Sequence, residues 1–143
     1  MTIRSATLDD MDFLLLCGEH FAEAVKLPGG FDAVSAEQFF RFLIESPDGV
    51  LLIGDGGGVG GLAHPSPYNN AHKTGQELFW WVEPDKRGGR LGVALLKALE
   101  EAVEALGVQS WTVSSIGLDG DRLGPLFERW GYRLTDRNYT KEM

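Results

Sequence analysis

The sequence has few of the features that mark several large protein classes. Its one cysteine, Cys17, excludes an internal disulfide framework and a cysteine-rich zinc site. Uninterrupted apolar stretches are short, as at residues 13–17, whereas a membrane-spanning helix needs about 20 apolar residues. No hydrophobic segment with a cleavage site follows residues 1–5, so we expect no secretory signal.

Basic residues are also scarce, with 13 lysines and arginines against 21 acidic residues and a formal net charge of −8. This balance argues against partners such as nucleic acids or acidic membranes. Residues 1–71 hold ten acidic and only three basic side chains, yet Lys86, Arg87 and Arg90 lie within five residues. The length of 143 residues predicts one domain over residues 1–143, and we expect it to be cytoplasmic.

Hydrophobic periodicity and turn residues predict a mixed order of helices and strands. The predicted elements are a strand at residues 3–6, helices beginning at Thr7 and Ser35, strands at 50–53 and 59–63, a loop at 65–74, a strand at 77–82, a long helix from about Leu91 to Gly107, a strand at 108–113, a short helix at 122–130 and a final strand or strand pair at 132–141. This order predicts an α/β (α+β) protein whose central sheet is covered by helices. The long helix should make a right-handed crossover, which places strands 77–82 and 108–113 parallel.

The most informative segment joins the strand at residues 77–82 to the longest helix through Pro84 and the glycine pair Gly88 and Gly89. The first turn of a helix leaves about four backbone N–H groups without partners and carries the positive end of the helix dipole. Glycines there let a bulky anion approach the backbone, so the segment favours a phosphate or diphosphate site. A glycine-rich loop with solvated cations is the alternative. The spacing matches neither a Walker A loop nor the dinucleotide fingerprint.

The same segment resembles the acetyl-CoA-binding motif of the GNAT family of N-acetyltransferases, Arg/Gln-x-x-Gly-x-Gly/Ala after a strand ending Val-x-Pro. The matching residues are Val82-x-Pro84-x-x-Arg87-Gly88-Gly89-Arg90-Leu91-Gly92. Residues 126–132 resemble a later family motif, a short helix of the type Leu-Tyr-Glu-Lys-x-Gly-Phe. The resemblance implies a GNAT-type mixed sheet, mostly antiparallel, in which a parallel strand pair splays apart beside the thioester.

The resemblance also implies the chemistry: direct transfer of acetyl from acetyl-CoA, as co-substrate, to the amine of a small molecule or peptide. No metal is expected. The implied cofactor-binding residues are Trp81, Val82, Arg87, Gly88, Gly89, Arg90, Leu91, Gly92 and Val93. The sequence departs from the family pattern at three positions, since Arg90 replaces a glycine, Phe127 a tyrosine that protonates the departing thiolate, and Gly120 an asparagine.

Glu77 resembles the frequent base position of the family. Strand alternation puts Glu77, Phe79 and Trp81 on one face, and burial beside aromatic rings would raise the pKa of the carboxyl group. The alternative is that Glu77 begins the strand in solvent. Several other residues are weaker candidates for a role in proton transfer. Tyr132 or Tyr139 could replace the missing proton donor, and His64 and His72 could line the acceptor cleft. We expect Glu83 and His20 to be ordinary polar residues. Trp81 could pack on the sheet or line the acceptor pocket.

Two other functions stay open at this point. The altered positions Phe127 and Gly120 favour a catalytically weak acyl-CoA sensor or interaction module of the same fold. A nucleotide-phosphate binder of another α/β type is the third. The acidic first half of the chain suggests a cationic acceptor amine. The final strand could pair with a second subunit, which would make a homodimer.

Overall fold

A five-stranded sheet forms the centre of the protein, in a computed structural model that describes residues 2–115 and 122–143. The strands are β1 (Arg4–Ser5), β2 (Gly49–Gly54), β3 (Gly57–Ser66), β4 (Asn69–Val82) and β5 (Ser110–Thr112). The helices are α1 (Met11–Val25), α2 (Ala33–Glu45), α3 (Leu91–Ala105) and α4 (Gly124–Arg129). Strand order follows chain order, and each neighbouring pair is antiparallel except β4 and β5, which are parallel. The predicted mixed, mostly antiparallel sheet with one parallel pair is therefore confirmed.

Helices cover both faces of the sheet. On one face α1 and α2 bury a core that includes Phe40, Phe79 and Trp81. On the other face α3 packs through Leu95 and Leu99 against side chains that include Leu52, Val59, Trp80 and Val82. Consecutive residues of β4 thus enter opposite cores, as the alternation of the sequence predicts.

The two amino-terminal helices begin at acidic residues. Leu8–Asp10 form a short 3-10 turn before α1, and the Asp10 carboxylate accepts a hydrogen bond from the Thr7 amide at 2.8 Å, as the predicted capping pair requires. Helix α2 begins earlier than predicted, because Asp32 rather than Ser35 is its cap: the Asp32 carboxylate accepts from the Ser35 amide at 2.9 Å.

The predicted loop at residues 65–74 is wrong. Strands β3 and β4 run through most of it, joined by a tight turn, with Pro65 opposite Lys73 and Ser66 opposite Asn69. The side chains here are polar because this end of the hairpin is largely exposed, so the ladder needs no apolar residues. The additional residues of β4 also form the contact with β5, because Thr74 pairs with β5 together with Gly75 and Gln76.

The predicted final strand at residues 132–141 is also wrong. This segment has no regular secondary structure in the described part of the chain. Its apolar side chains are not buried, with Leu134 63% and Tyr139 89% exposed, so no buried face holds it against the sheet. The homodimer expected through that strand stays a prediction.

Candidate functional site

The parallel strands β4 and β5 separate after a short ladder. They pair only at Thr74, Gly75 and Gln76, and β5 ends at Thr112, whereas β4 continues to Val82. Among the described residues, no strand pairs with the remaining part of β4 on its β5 side. The sheet is therefore open between β4 and β5 from Glu77 onward, where the unpaired part of β4 begins.

Glu77 lies at this opening and is only 6% exposed, the single buried charged side chain among residues 2–115 and 122–143. Its Oε1 accepts a hydrogen bond from the Ser114 amide at 3.3 Å. Burial raises the pKa of Glu77 to about 7, and the Ser114 amide acts in the opposite direction. A carboxylate with a pKa near neutral can accept and release a proton at physiological pH. The alternative that Glu77 stands in solvent is thus excluded.

A β-bulge lies beside Glu77. Gly60 is opposite Phe79 and Gly61 is opposite Glu77, so Leu78 is an extra residue on β4. The prediction that Glu77 shares a face with Phe79 and Trp81 by regular alternation is therefore wrong, because the bulge interrupts the alternation between Glu77 and Phe79. Bulges bend a strand and are common next to active sites, where they re-aim a side chain.

The glycine turn between β4 and α3 is open. A short 3-10 turn at Pro84–Lys86 leads to exposed residues 87–90. Gly88 has φ +87°, a conformation that favours glycine, and a Cβ placed on Gly88 or Gly89 would meet no atom within 4 Å. The turn therefore has room for a ligand against its backbone.

The first turn of α3 presents unpaired amides. The first bond within the helix runs from the Ala94 amide to the Arg90 carbonyl at 2.9 Å, and no side chain caps the helix. The amides of Leu91, Gly92 and Val93 therefore have no partner inside the helix. Arg90 has φ −100°, which any L-residue adopts, so the backbone here does not require the glycine of the family motif.

Arg87 does not extend toward the helix terminus. Its Nε donates to the Val82 carbonyl at 2.8 Å, and its guanidinium lies 4.5 Å from the centroid of the Trp81 ring. The Trp81 indole N–H is buried and has no hydrogen-bond partner among the described residues. On the opposite face, Trp80 Nε1 donates to the Gly92 carbonyl at 3.0 Å and ties α3 to β4.

The sequence matches the model of the acetyltransferase (GNAT) family over residues 19–132. The chain belongs to the GNAT family. No curated protein matches it significantly.

Solved structures share the GNAT fold. An acetyltransferase of Trypanosoma brucei is 19% identical with a TM-score of 0.75, and 99% of each chain is covered. A ribosomal-protein-alanine N-acetyltransferase of Brucella melitensis biovar Abortus 2308 is 18% identical, with a TM-score of 0.70 and coverage of 99% of this chain and 98% of that one. A Clostridium acetobutylicum protein, described as a predicted acetyltransferase with acetyl-CoA, is 15% identical with a TM-score of 0.76, covering 99% and 95%.

The tyrosines expected as replacement proton donors in this GNAT protein are engaged or exposed elsewhere. The Tyr132 hydroxyl donates to Glu100 Oε2 on α3 at 2.8 Å, and Tyr139 is almost fully exposed. Phe127, at the usual tyrosine position, is 8% exposed and packs against the rings of Trp80 and Tyr132. Gly120, expected at the asparagine position, lies outside the described residues.

The two histidines expected at the acceptor cleft, His64 and His72, make hydrogen bonds to groups other than Glu77. His64 Nδ1 is hydrogen-bonded to the carbonyl of Pro65, and His72 Nε2 to the Ser110 hydroxyl at 2.8 Å. Among residues 2–115 and 122–143, no three His, Cys, Asp or Glu side chains are grouped so that they could hold a metal. Nor is any helix in those ranges long and apolar enough to cross a membrane.

An ion pair that no sequence motif predicts joins α1 to the residue that follows β4. Nδ1 of His20 lies 2.8 and 2.9 Å from the two Glu83 carboxylate oxygens. Glu83 is therefore not a plain surface residue. Its position two residues after Trp81 places it on the α1 face of β4, and His20 borders the buried stripe of α1 that contains Cys17. Those two periodicities indicate the side of each element on which the residue lies, whereas the contact itself depends on how α1 packs against β4.

This pair makes stability depend on pH. Glu83, and less strongly Glu23 and Glu19, raise the pKa of His20 above its value of about 6.5 in an unfolded chain. The contribution is fully present below that value and is lost as the pH rises through the folded pKa. We expect His20→Gln to lower the free energy of unfolding more at about pH 5.5 than at about pH 9 in urea denaturation. Exposed His64→Gln is the control, and an equal effect of His20→Gln at both pH values would contradict the assignment.

Proposed function

We propose that this GNAT protein is an N-acetyltransferase that transfers acetyl from acetyl-CoA directly to an amine, with Glu77 as the proton acceptor. The observation that supports this most is the buried carboxyl group of Glu77 with a pKa of about 7, at the opening between β4 and β5. We propose further that residues 1–143 act as one acetyltransferase domain in the cytoplasm. Size-exclusion chromatography tests the homodimer.

The donor fits the open turn at α3. The diphosphate of acetyl-CoA would lie on the backbone of Gly88, Gly89, Arg90, Leu91, Gly92 and Val93. Unpaired amides, the helix dipole and the space around Gly88 and Gly89 support this placement. The pantetheine arm would follow the backbone of Val82 beside Trp81, toward the opening at Glu77.

The transfer needs a neutral amine, because an alkylammonium ion has no lone pair with which to attack. An alkylammonium ion has a pKa of about 10, so at neutral pH the amine must first lose a proton. Glu77 takes the proton as the amine nitrogen bonds to the thioester carbonyl carbon. The C–S bond then breaks, giving the amide and the CoA thiolate. A thiol with a pKa of about 8.5 is a tolerable leaving group at neutral pH, so Phe127 in place of a tyrosine need not prevent the reaction.

The acceptor is proposed to be a cationic amine. A cavity of about 420 Å³ at the carboxyl end of α1 is lined by Glu19, Glu23, Lys26 and Phe31, so two carboxylates face one ammonium group there. These carboxylates lie on the helix that carries His20, in the acidic half of the chain. A polyamine, an aminoglycoside or a lysine side chain would match their charge.

Isothermal titration calorimetry with acetyl-CoA and a thiol-release assay over a panel of amines test the proposal. We expect calorimetry at a protein concentration of tens of micromolar to detect acetyl-CoA binding. We expect thiol release only when an amine is present. Absence of binding would contradict the proposal.

The second candidate function is a catalytically weak acyl-CoA-binding module. Burial of Phe127 against Trp80 and Tyr132 favours it, because that position cannot donate a proton. Binding without thiol release for any amine would support this alternative, whereas amine-dependent release that Glu77→Gln reduces would exclude it.

A further inference from the structure

Arg87 occupies the path that the proposed function gives to the pantetheine arm. The Arg87 Nε–H is bonded to the Val82 carbonyl, and the guanidinium covers the Trp81 ring. Both contacts hold the cation on β4, although its own backbone lies in the turn that leads to α3. A donor arm that lies along Val82 beside Trp81 must therefore displace this side chain.

The other cations of the turn are placed differently. Lys86 Nζ lies 3.3 Å from the Asp55 carboxylate. Arg90 is exposed and makes no side-chain hydrogen bond or ion pair with residues 2–115 or 122–143. Of the three cations in the turn, Arg87 is thus the one whose side chain is bound to β4.

Building on the proposed function, we propose that Arg87 makes the site selective for thioester donors that carry a diphosphate. A donor with only a pantetheine arm displaces the guanidinium from Val82 and Trp81 and gives it no new partner. A donor with a diphosphate offers the displaced guanidinium two phosphate groups beside the helix terminus, and charge-assisted bonds to phosphate are stronger than a bond to a neutral carbonyl. Arg87 therefore couples arm binding to diphosphate binding, and disfavours simple acyl-pantetheine thioesters.

Calorimetry with two donors, acetyl-CoA and S-acetylpantetheine, tests this selectivity. Removing the guanidinium in Arg87→Ala frees the Val82 carbonyl, so we expect S-acetylpantetheine to bind about fivefold more tightly than to the wild type, the worth of about one hydrogen bond. Acetyl-CoA should bind no more tightly than to the wild type. The matched control is Lys86→Ala, which removes a positive charge from the same turn without touching Val82, and it should leave S-acetylpantetheine binding unchanged.

Equal S-acetylpantetheine affinity of wild type and Arg87→Ala, including no detectable binding to either at millimolar concentration, overturns the proposal. So does an equal gain in Lys86→Ala. A second measurement uses the wild-type protein alone. The ¹⁵N NMR resonance of the Arg87 Nε–H group should shift when acetyl-CoA saturates the protein. An unchanged resonance overturns the proposal. Failure of acetyl-CoA to bind the wild type contradicts the proposed function itself, whereas binding without these Arg87 effects contradicts the selectivity alone.

Discussion

Replacing Glu77 with glutamine is expected to lower kcat by about 10²- to 10⁴-fold, the range that a positioned general base contributes. Glutamine has nearly the same shape, and its carbonyl can still accept from the Ser114 amide, but it cannot take a proton from the attacking amine. Acetyl-CoA affinity should stay within about twofold, because Glu77 has no role in holding the diphosphate. Thiol release and calorimetry on the same preparations measure the two quantities.

The pH profile gives this prediction a sharper form. In the wild type, kcat/KM should rise with pH through the pKa of Glu77, about 7, and in Glu77→Gln this rise should be absent.

The stability of the protein should also depend on Glu77. Because the pKa is raised in the folded state, ionisation of Glu77 destabilises the fold as the pH increases between about 4.3 and 7. The variant should therefore be more stable than wild type above pH 7 while being less active.

An exposed carboxylate provides the control for this substitution. Glu101→Gln on α3 removes the same charge at an exposed position and should leave the pH profile unchanged. A Glu77→Gln protein that keeps wild-type kcat and the same pH limb would show that Glu77 is not the base.

Replacing Gly89 with leucine is expected to weaken acetyl-CoA binding by at least about tenfold while leaving the free protein as stable as wild type. No atom lies within 4 Å of a Cβ at Gly89, and its φ is not in the left-handed region, so leucine fits the unliganded turn. A diphosphate on the backbone would meet that side chain, and overpacking of this kind costs about 1–3 kcal/mol. Calorimetry measures the affinity and thermal denaturation the stability.

Two further variants separate crowding from a general surface effect. Gly89→Ala should give a smaller loss than Gly89→Leu, because one methyl group leaves more room. Asp85→Leu places the same side chain on the preceding 3-10 turn and should not weaken binding. Unchanged acetyl-CoA affinity in Gly89→Leu would mean that the diphosphate does not lie on this turn.

Much of the fold could be predicted from local sequence signals. The apolar stripe of α3 and the buried run at residues 77–82 carry strong periodicity, and the crossover rule made β4 and β5 parallel. The predictions failed at residues 65–74 and 132–141, where polar composition does not distinguish an exposed strand from a loop. Pairing there depends on partners distant in sequence, such as β5 for Thr74, and on whether a partner face is available.

The candidate site shows the same division. The glycine pair predicted the open turn. Alternation along β4 predicted the shared face of Phe79 and Trp81 but not the position of Glu77, because the extra residue Leu78 interrupts the alternation. The separation of β4 and β5, by contrast, could be expected only from the family resemblance. The direction of Arg87 and the contact of His20 with Glu83 depend on tertiary geometry between a side chain and another element, which periodicity alone does not give.

A crystal structure of the protein with CoA would show where the diphosphate binds. We expect diphosphate oxygens within hydrogen-bonding distance of the amides between Gly88 and Val93, with the sulfur directed to the opening beside Glu77. A diphosphate bound elsewhere, while these amides are covered by protein side chains or face only solvent, would contradict this placement.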